Sequence, residues 1–267
     1  MVEVLLLGAG SADGWPNPWC SGACCTERVA AGEIRTPTSA LIDRTVLVDP
    51  GPEAARQAVR FGVSLAEVRT VLVTHAHHDH LDPAFLLHRT WGDDRPLRLV
   101  GPEPVIAECR PWLAPGQPVE LVPVTAGSVV RLGDYEVRAL PAAHEAFGEA
   151  CLYVVSRSGQ SVLWATDTGP WAPGARDLLA GTRLGLVLLE ETFGDRDDLA
   201  GAHHHGLRSF AEAVRQLRDG GSLVPGAEVV AVHLSHHNPP PALLAERLGR
   251  LGARPGEDGA RYRPCLA

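Results

Sequence analysis

The segment His75-Ala-His-His-Asp-His80 places four imidazoles and a carboxylate within six residues, directly after the apolar run 70–74. A strand that feeds into such a knot packs poorly and coordinates well. Imidazole nitrogen and carboxylate oxygen suit zinc and related divalent ions. The spacing is too tight for one ion to use every side chain, which points to two ions side by side.

The remaining histidines repeat the pattern. Of 12 in the chain, 11 fall in four places: this segment, His144, the run His203-His204-His205, and the trio His233, His236 and His237. His88 stands apart as a helix-surface residue. His144 follows the strand-like stretch 135–140, Asp167 follows 161–165, and His233 closes 228–232. Each candidate ligand thus sits at the carboxyl end of a short apolar strand, where a rigid sheet can hold it.

The elements that must position these residues read as two series of strands. The first comprises 2–7, 39–42, 46–48, 71–74, 97–100, 119–122, 129–132 and 136–140. The second comprises 151–156, 161–165, 184–189 and 229–232. Helical patterns occupy 53–61, 83–89, 174–179, 207–218 and 241–251. Asp82 before Pro83 forms an N-cap and first-turn pair, so the His75–His80 loop leads into a helix. Strands in two groups, each followed by helices, predict an α/β fold: an αββα four-layer sandwich formed as one domain over 1–267.

Composition removes several functions. The net charge is −8, and no basic block is present to neutralise phosphates, so nucleic acid is set aside as a partner. All 24 cationic residues are Arg, which excludes lysine Schiff bases and a Walker lysine. Gly8-Ala-Gly10 lacks the third glycine of a dinucleotide fingerprint, because position 13 is Asp and Trp15-Pro16 follows. Those glycines are expected to allow a tight turn. No apolar stretch reaches membrane-spanning length, and the expected location is cytoplasmic, with the 6 Cys reduced or metal-bound.

With these residues placed, the chain resembles the metallo-β-lactamase superfamily over nearly its whole length. The resemblance implies an αββα fold with a dinuclear centre of zinc or manganese between the sheets. One ion would take His75, His77 and His144. The other would take Asp79, His80 and His233, and Asp167 would bridge them. Metal-bound hydroxide would attack, and Asp79 could hold or accept a proton.

Three local features are similar to the phosphodiesterase of the bacterial phosphonate-degrading pathway and to tRNase Z. The loop from Asp13 to Cys25 resembles a Cys-bearing loop of that branch. His233-Leu-Ser-His236 resembles its H-x-x-H, and Ala202-His203-His204-His205-Gly206 lies where it carries an acid-catalyst histidine. By register that residue is His204. The resemblance implies a third, structural zinc on Cys20, Cys24, Cys25 and His236. The relatives' middle cysteine corresponds to Gly22 here, so Cys24 would have to replace it.

The expected function is hydrolysis of a small phosphodiester, such as a cyclic phosphate or nucleotide-like molecule. Oligomeric state stays open between a monomer and a homodimer. Thioester or lactam hydrolysis on the same metal pair stays open as well, since neither needs His204. So does a noncatalytic accessory role in cofactor biosynthesis, against which the complete ligand set argues. Glu190 and Glu191 are expected at an edge or behind the ligands, and Thr166 and Thr168 to orient the Asp167 loop.

Overall fold

The computed structural model describes residues 1–144 and 148–266. One sheet is built from β1 (Val4–Gly8), β2 (Ser39–Ile42), β3 (Val46–Val48), β4 (Thr70–Leu72), β5 (Leu97–Gly101) and β6 (Val119–Pro123). A second is built from β7 (Val129–Leu132), β8 (Tyr135–Pro141), β9 (Cys151–Arg157), β10 (Gln160–Ala165), β11 (Leu184–Glu190) and β12 (Leu223–Val232). The C-terminal strands then divide, β13 (Arg254–Pro255) edging the second sheet and β14 (Arg261–Tyr262) the first. Strands β3 to β6 run parallel, as do β10 to β13.

The helices are α1 (Ala23–Ala31), α2 (Ala54–Arg60), α3 (Ala84–Thr90), α4 (Glu103–Cys109), α5 (Ala175–Leu179), α6 (Asp197–Ala200), α7 (Leu207–Asp219) and α8 (Pro241–Arg250). Strand alternation decides where they lie. Leu6, Leu72, Trp164, Leu188 and Val232 point into one core between the sheets. Leu5, Leu7, Val71 and Val73 point the other way, against Ala54 and Ala58 of α2, Leu86 of α3 and Ile106 of α4. Leu163, Val187 and Leu189 likewise meet Phe210 and Val214 of α7 and Leu244 and Leu248 of α8. Strands buried on both faces read as continuous apolar runs because both faces are covered. Three apolar layers between four layers of backbone form the expected αββα sandwich.

Two joints fix the loops that matter. The Cys151 amide donates to the Thr74 carbonyl at 2.9 Å, and the Tyr153 hydroxyl donates to the Val73 carbonyl at 2.8 Å. They clamp the end of β4 onto the second sheet immediately before His75. The Leu234 amide donates to the Ala9 carbonyl at 3.0 Å, tying the His233 loop to the end of β1.

Several local expectations change. Gly8 and Gly10 serve close backbone approach: a Cβ on Gly8 would lie 2.0 Å from the Pro37 carbonyl oxygen, and one on Gly10 2.8 Å from that of Arg35. The cysteine-bearing segment is not loop to its end, because α1 begins at Ala23 and carries Cys24 and Cys25. Trp15 and Trp164 are buried, whereas Trp19 and Trp91 are exposed. Among the described residues, no helix is long and apolar enough to cross a membrane.

Candidate metal centre

Every predicted ligand stands at or just beyond the carboxyl end of a strand. His75 follows β4 and opens the turn that carries His77, Asp79 and His80 into α3. His144 follows β8, Asp167 follows β10, and His233 follows β12. Asp82 accepts the Ala84 amide at 3.1 Å, but α3 starts one residue later than expected, with Pro83 at the N-cap and Ala84 as its first residue. Gly51 makes room for the turn, since a Cβ there would lie 1.9 Å from the Asp79 carbonyl oxygen.

The donors fall into two sets that share Asp167: His75, His77 and His144 in one, and Asp79, His80 and His233 in the other. In the first set, His77 Nδ1 lies 2.9 Å from His75 Nε2 and 3.0 Å from His144 Nε2. Asp167 Oδ2 lies 3.8 Å from both of those Nε2 atoms. In the second, His80 Nε2 lies 3.0 Å from Asp79 Oδ2 and 3.4 Å from Asp167 Oδ1. His233 Nε2 lies 3.3 Å from Asp79 Oδ2 and 3.2 Å from Asp167 Oδ1. Tetrahedral zinc with bonds of about 2.0–2.2 Å separates its donors by about 3.3–3.6 Å, so these spacings match the edges of coordination polyhedra.

Proton bookkeeping supports the same fit. His144 Nδ1 lies 3.0 Å from the His203 carbonyl, which only accepts, so Nδ1 carries the proton and Nε2 is a bare lone pair. Thr74 Oγ1 donates to Asp49 and therefore accepts from His75 Nδ1 at 2.9 Å, leaving His75 Nε2 bare. Thr192 Oγ1 donates to Glu190 and accepts from His233 Nδ1 at 2.9 Å, which turns His233 Nε2 toward two carboxylate oxygens. One proton on His77 Nδ1 cannot serve both neighbouring lone pairs. His80 Nε2 and Asp167 Oδ1 are buried without a hydrogen-bond partner. A cage of converging lone pairs and carboxylates is a cation site, and divalent ions fit both sets.

The electrostatics agree. Burial disfavours charge on Asp167, yet His233 and His80 hold its carboxyl well below the usual range. Burial also disfavours charge on His80, but Asp79 and Asp167 raise it well above an ordinary imidazole. His75, buried and facing His80, is pushed well down. The negative field that raises His80 would hold a cation in the proton's place.

Asp49, which the sequence reading passed over, lies beneath the second set. It is fully buried at the end of β3, with Oδ2 3.1 Å from His80 Nδ1. It also accepts from the Thr74 amide at 2.8 Å, Trp164 Nε1 at 2.8 Å and Thr166 Oγ1 at 3.3 Å. A carboxylate on the far nitrogen of a ligating histidine fixes its tautomer and strengthens it as a donor. The signal was available: Asp49 ends an apolar run as His75 and Asp167 do.

His204 stands beside both sets. Its ring centroid is 4.8 Å from that of His144 and 5.5 Å from that of His233, stacked on the latter at 6°. His204 Nδ1 faces Glu190 Oε1 at 3.1 Å. Burial works against a charge on His204, but the Glu190 carboxylate raises it to about 9. Glu190 is itself fully buried and accepts from the Thr168 amide at 3.0 Å and from Thr192 Oγ1. Of the two places expected for Glu190, the structure gives the one behind the ligands, where it also holds His204, an imidazole outside the two shared sets. Thr166 and Thr168 do orient the Asp167 loop, Thr168 Oγ1 also accepting from the Ala143 amide at 3.1 Å. His205 is buried against Ser209 Oγ at 3.0 Å, and burial lowers it to about 4.

Among the described residues, the groups able to hold a metal do not join Cys20, Cys24, Cys25 and His236. His236 Nδ1 instead faces Asp13 Oδ2 at 2.9 Å. Cys24 and Cys25 are neighbours on α1, and the Cys25 thiol lies beside those of Cys20 and Cys24. Cys25 is buried against the core, which pushes its thiol up, while Cys20 and Cys24 are half-buried.

An αββα sandwich with two histidine–aspartate donor sets between the strand ends defines a metal-dependent hydrolase. The chain belongs to the β-lactamase superfamily and has the metallo-β-lactamase fold: residues 44–234 match the family described as a beta-lactamase superfamily domain. A ribonuclease Z from Mycobacterium bovis (strain BCG / Pasteur 1173P2) is 24% identical over 262 residues, 90% of this chain and 87% of the relative. The crystal structure of a diphosphatase from the PhnP family superposes with a TM-score of 0.76 at 20% identity, over 100% of both chains. The short form of human tRNase Z superposes with a TM-score of 0.71 at 16% identity, over 99% of this chain and 100% of that one.

Proposed function

We propose that the chain hydrolyses phosphodiesters at a dinuclear centre held by His75, His77, His144, Asp79, His80, His233 and the shared Asp167, with His204 as proton donor. The observation that carries this reading is the Glu190–His204 pair beside both donor sets. Opening a phosphodiester expels an alkoxide, which needs a proton; a good thiolate leaving group does not. The chemistry supplied by two bound divalent ions is acidification of water and withdrawal of charge from phosphoryl oxygens.

The chain's own residues do the rest. Glu190 accepts Nδ1–H of His204, which leaves Nε2–H as the transferable proton. The His144 and His233 rings pack against His204 and fix its plane. Asp49, Thr74 and Thr192 hold the ligating rings in the tautomers that expose Nε2. Asp79, whose Oδ2 lies 3.0 Å from His80 Nε2 and 3.3 Å from His233 Nε2, accepts a proton from attacking water.

A small phosphodiester remains the first substrate class. The ribonuclease Z likeness over 90% of the chain favours an RNA phosphodiester as the second, so a net charge of −8 no longer suffices to set nucleic acid aside. A panel of an aryl phosphodiester, a 2′,3′-cyclic nucleotide, an RNA with a 3′ extension, a thioester and a lactam separates the readings. Turnover confined to the first three supports the assignment. Faster thioester or lactam turnover overturns it.

A further inference from the structure

Glu190, His204 and His233 form a third group of donors, one atom from each lying within 4.8 Å of the others. His204 Nδ1 and Glu190 Oε1 are 3.1 Å apart, close to the donor spacing of about 3.3 Å expected around tetrahedral zinc. From this geometry we infer that the proton-donor pair is also an inhibitory site for a third divalent cation. This rests on the reading of His204 as proton donor.

The binding step balances simply. The cation enters between Oε1 and Nδ1, and the Nδ1 proton leaves to solvent. Glu190 can accept the ion while keeping its bonds from the Thr168 amide and Thr192 Oγ1, because a carboxylate offers about four lone-pair positions. His233 contributes least, since Thr192 occupies its Nδ1 and its Nε2 belongs to the second set. The third position therefore has two strong donors where each catalytic set has four. It also faces the positive charge of two ions already bound. It fills last and most weakly.

Occupancy changes the chemistry. A cation between His204 Nδ1 and Glu190 Oε1 displaces the hydrogen bond that joins them, so the imidazole loses the carboxylate that assists its proton transfer. Its remaining N–H is a poor acid. Hydrolysis of esters with poor leaving groups falls, and esters with good leaving groups are spared.

The test is equilibrium dialysis of the two-ion holoenzyme against rising free Zn2+, with ions counted by elemental analysis. The same count is made on His204→Ala and Glu190→Gln. Wild type should gain one ion more than either variant at the same free Zn2+, while both variants keep their two tightly held ions. Equal counts in wild type and both variants overturn the site. In parallel, the wild-type phosphodiesterase rate should fall over the range in which the extra ion appears, and recover when it is dialysed away. A rate unchanged while the extra ion is bound overturns the inhibition. If the extra ion is lost in the variants but two-ion enzyme cleaves no phosphodiester, the third site stands and the phosphodiesterase reading falls.

Discussion

Asp49 Oδ2 lies 3.1 Å from His80 Nδ1, and both residues are fully buried. This contact ties the second donor set to the end of β3. Asp49→Asn keeps the size of the side chain and removes the charge. It should weaken metal binding by about 10–100-fold, as expected when the partner of a ligating histidine is lost. Asp49→Ala should also lower stability, because the Thr74 amide and Trp164 Nε1 lose their acceptor at about 1–3 kcal/mol each. Metal titration and urea unfolding measure the two effects. Unchanged affinity in Asp49→Asn would remove Asp49 from the centre.

His204→Ala should leave both catalytic ions bound and slow phosphodiester hydrolysis by about 10²–10⁴-fold, the usual loss of a general acid. A substrate with a good leaving group should lose much less. Glu190→Gln should show the same leaving-group dependence at smaller size, since it acts through His204. Equal losses for all leaving groups would show that His204 is not the proton donor.

Gly51→Ala tests the packing under the His77–His80 turn. The added Cβ would lie 1.9 Å from the Asp79 carbonyl oxygen, so the turn must move. Overpacking of this kind costs about 1–3 kcal/mol. The turn carries three of the proposed ligands, so metal content should fall along with stability. Full retention of both ions would mean that the turn tolerates displacement.

Much of this was legible in the sequence, and the reason is physical. Ligands at strand ends follow apolar runs, so His75, His144, Asp167 and His233 could be placed by inspection. The αββα layering followed from the same runs, but the strands at 129–132 and 135–141 belong to the second sheet and not to the first series. Long-range pairing was not legible. Glu190 and His204 are 14 residues apart and Asp13 and His236 are 223 apart, and nothing local couples them. The start of α1 at Ala23 was missed because Gly, Cys and Pro dominate the segment before it. The three cysteines near that helix lie together, whereas His236 pairs with Asp13, a partner that nothing local in the sequence announces.

Glu191 predicts a pH dependence of stability. It is fully buried next to Glu190, and burial raises its carboxyl from an ordinary 4.5 to about 8. A folded-state pKa above the unfolded one contributes stability that is complete below about 4.5 and is lost as pH rises through about 8. Urea midpoints of metal-free wild type should therefore fall between pH 5 and pH 8.5. The fall should be smaller in Glu191→Gln, which stays neutral. Parallel slopes for the two proteins would show that Glu191 does not titrate in that window.

The central claim is that two ions act together across Asp167. It is tested most directly by adding Zn2+ or Mn2+ stepwise to metal-free protein while following hydrolysis of an aryl phosphodiester. The rate should stay low through the first equivalent, rise through the second, and be abolished at all loadings in Asp167→Ala. A rate that reaches its maximum at one equivalent, or survives in Asp167→Ala, would contradict a shared dinuclear centre.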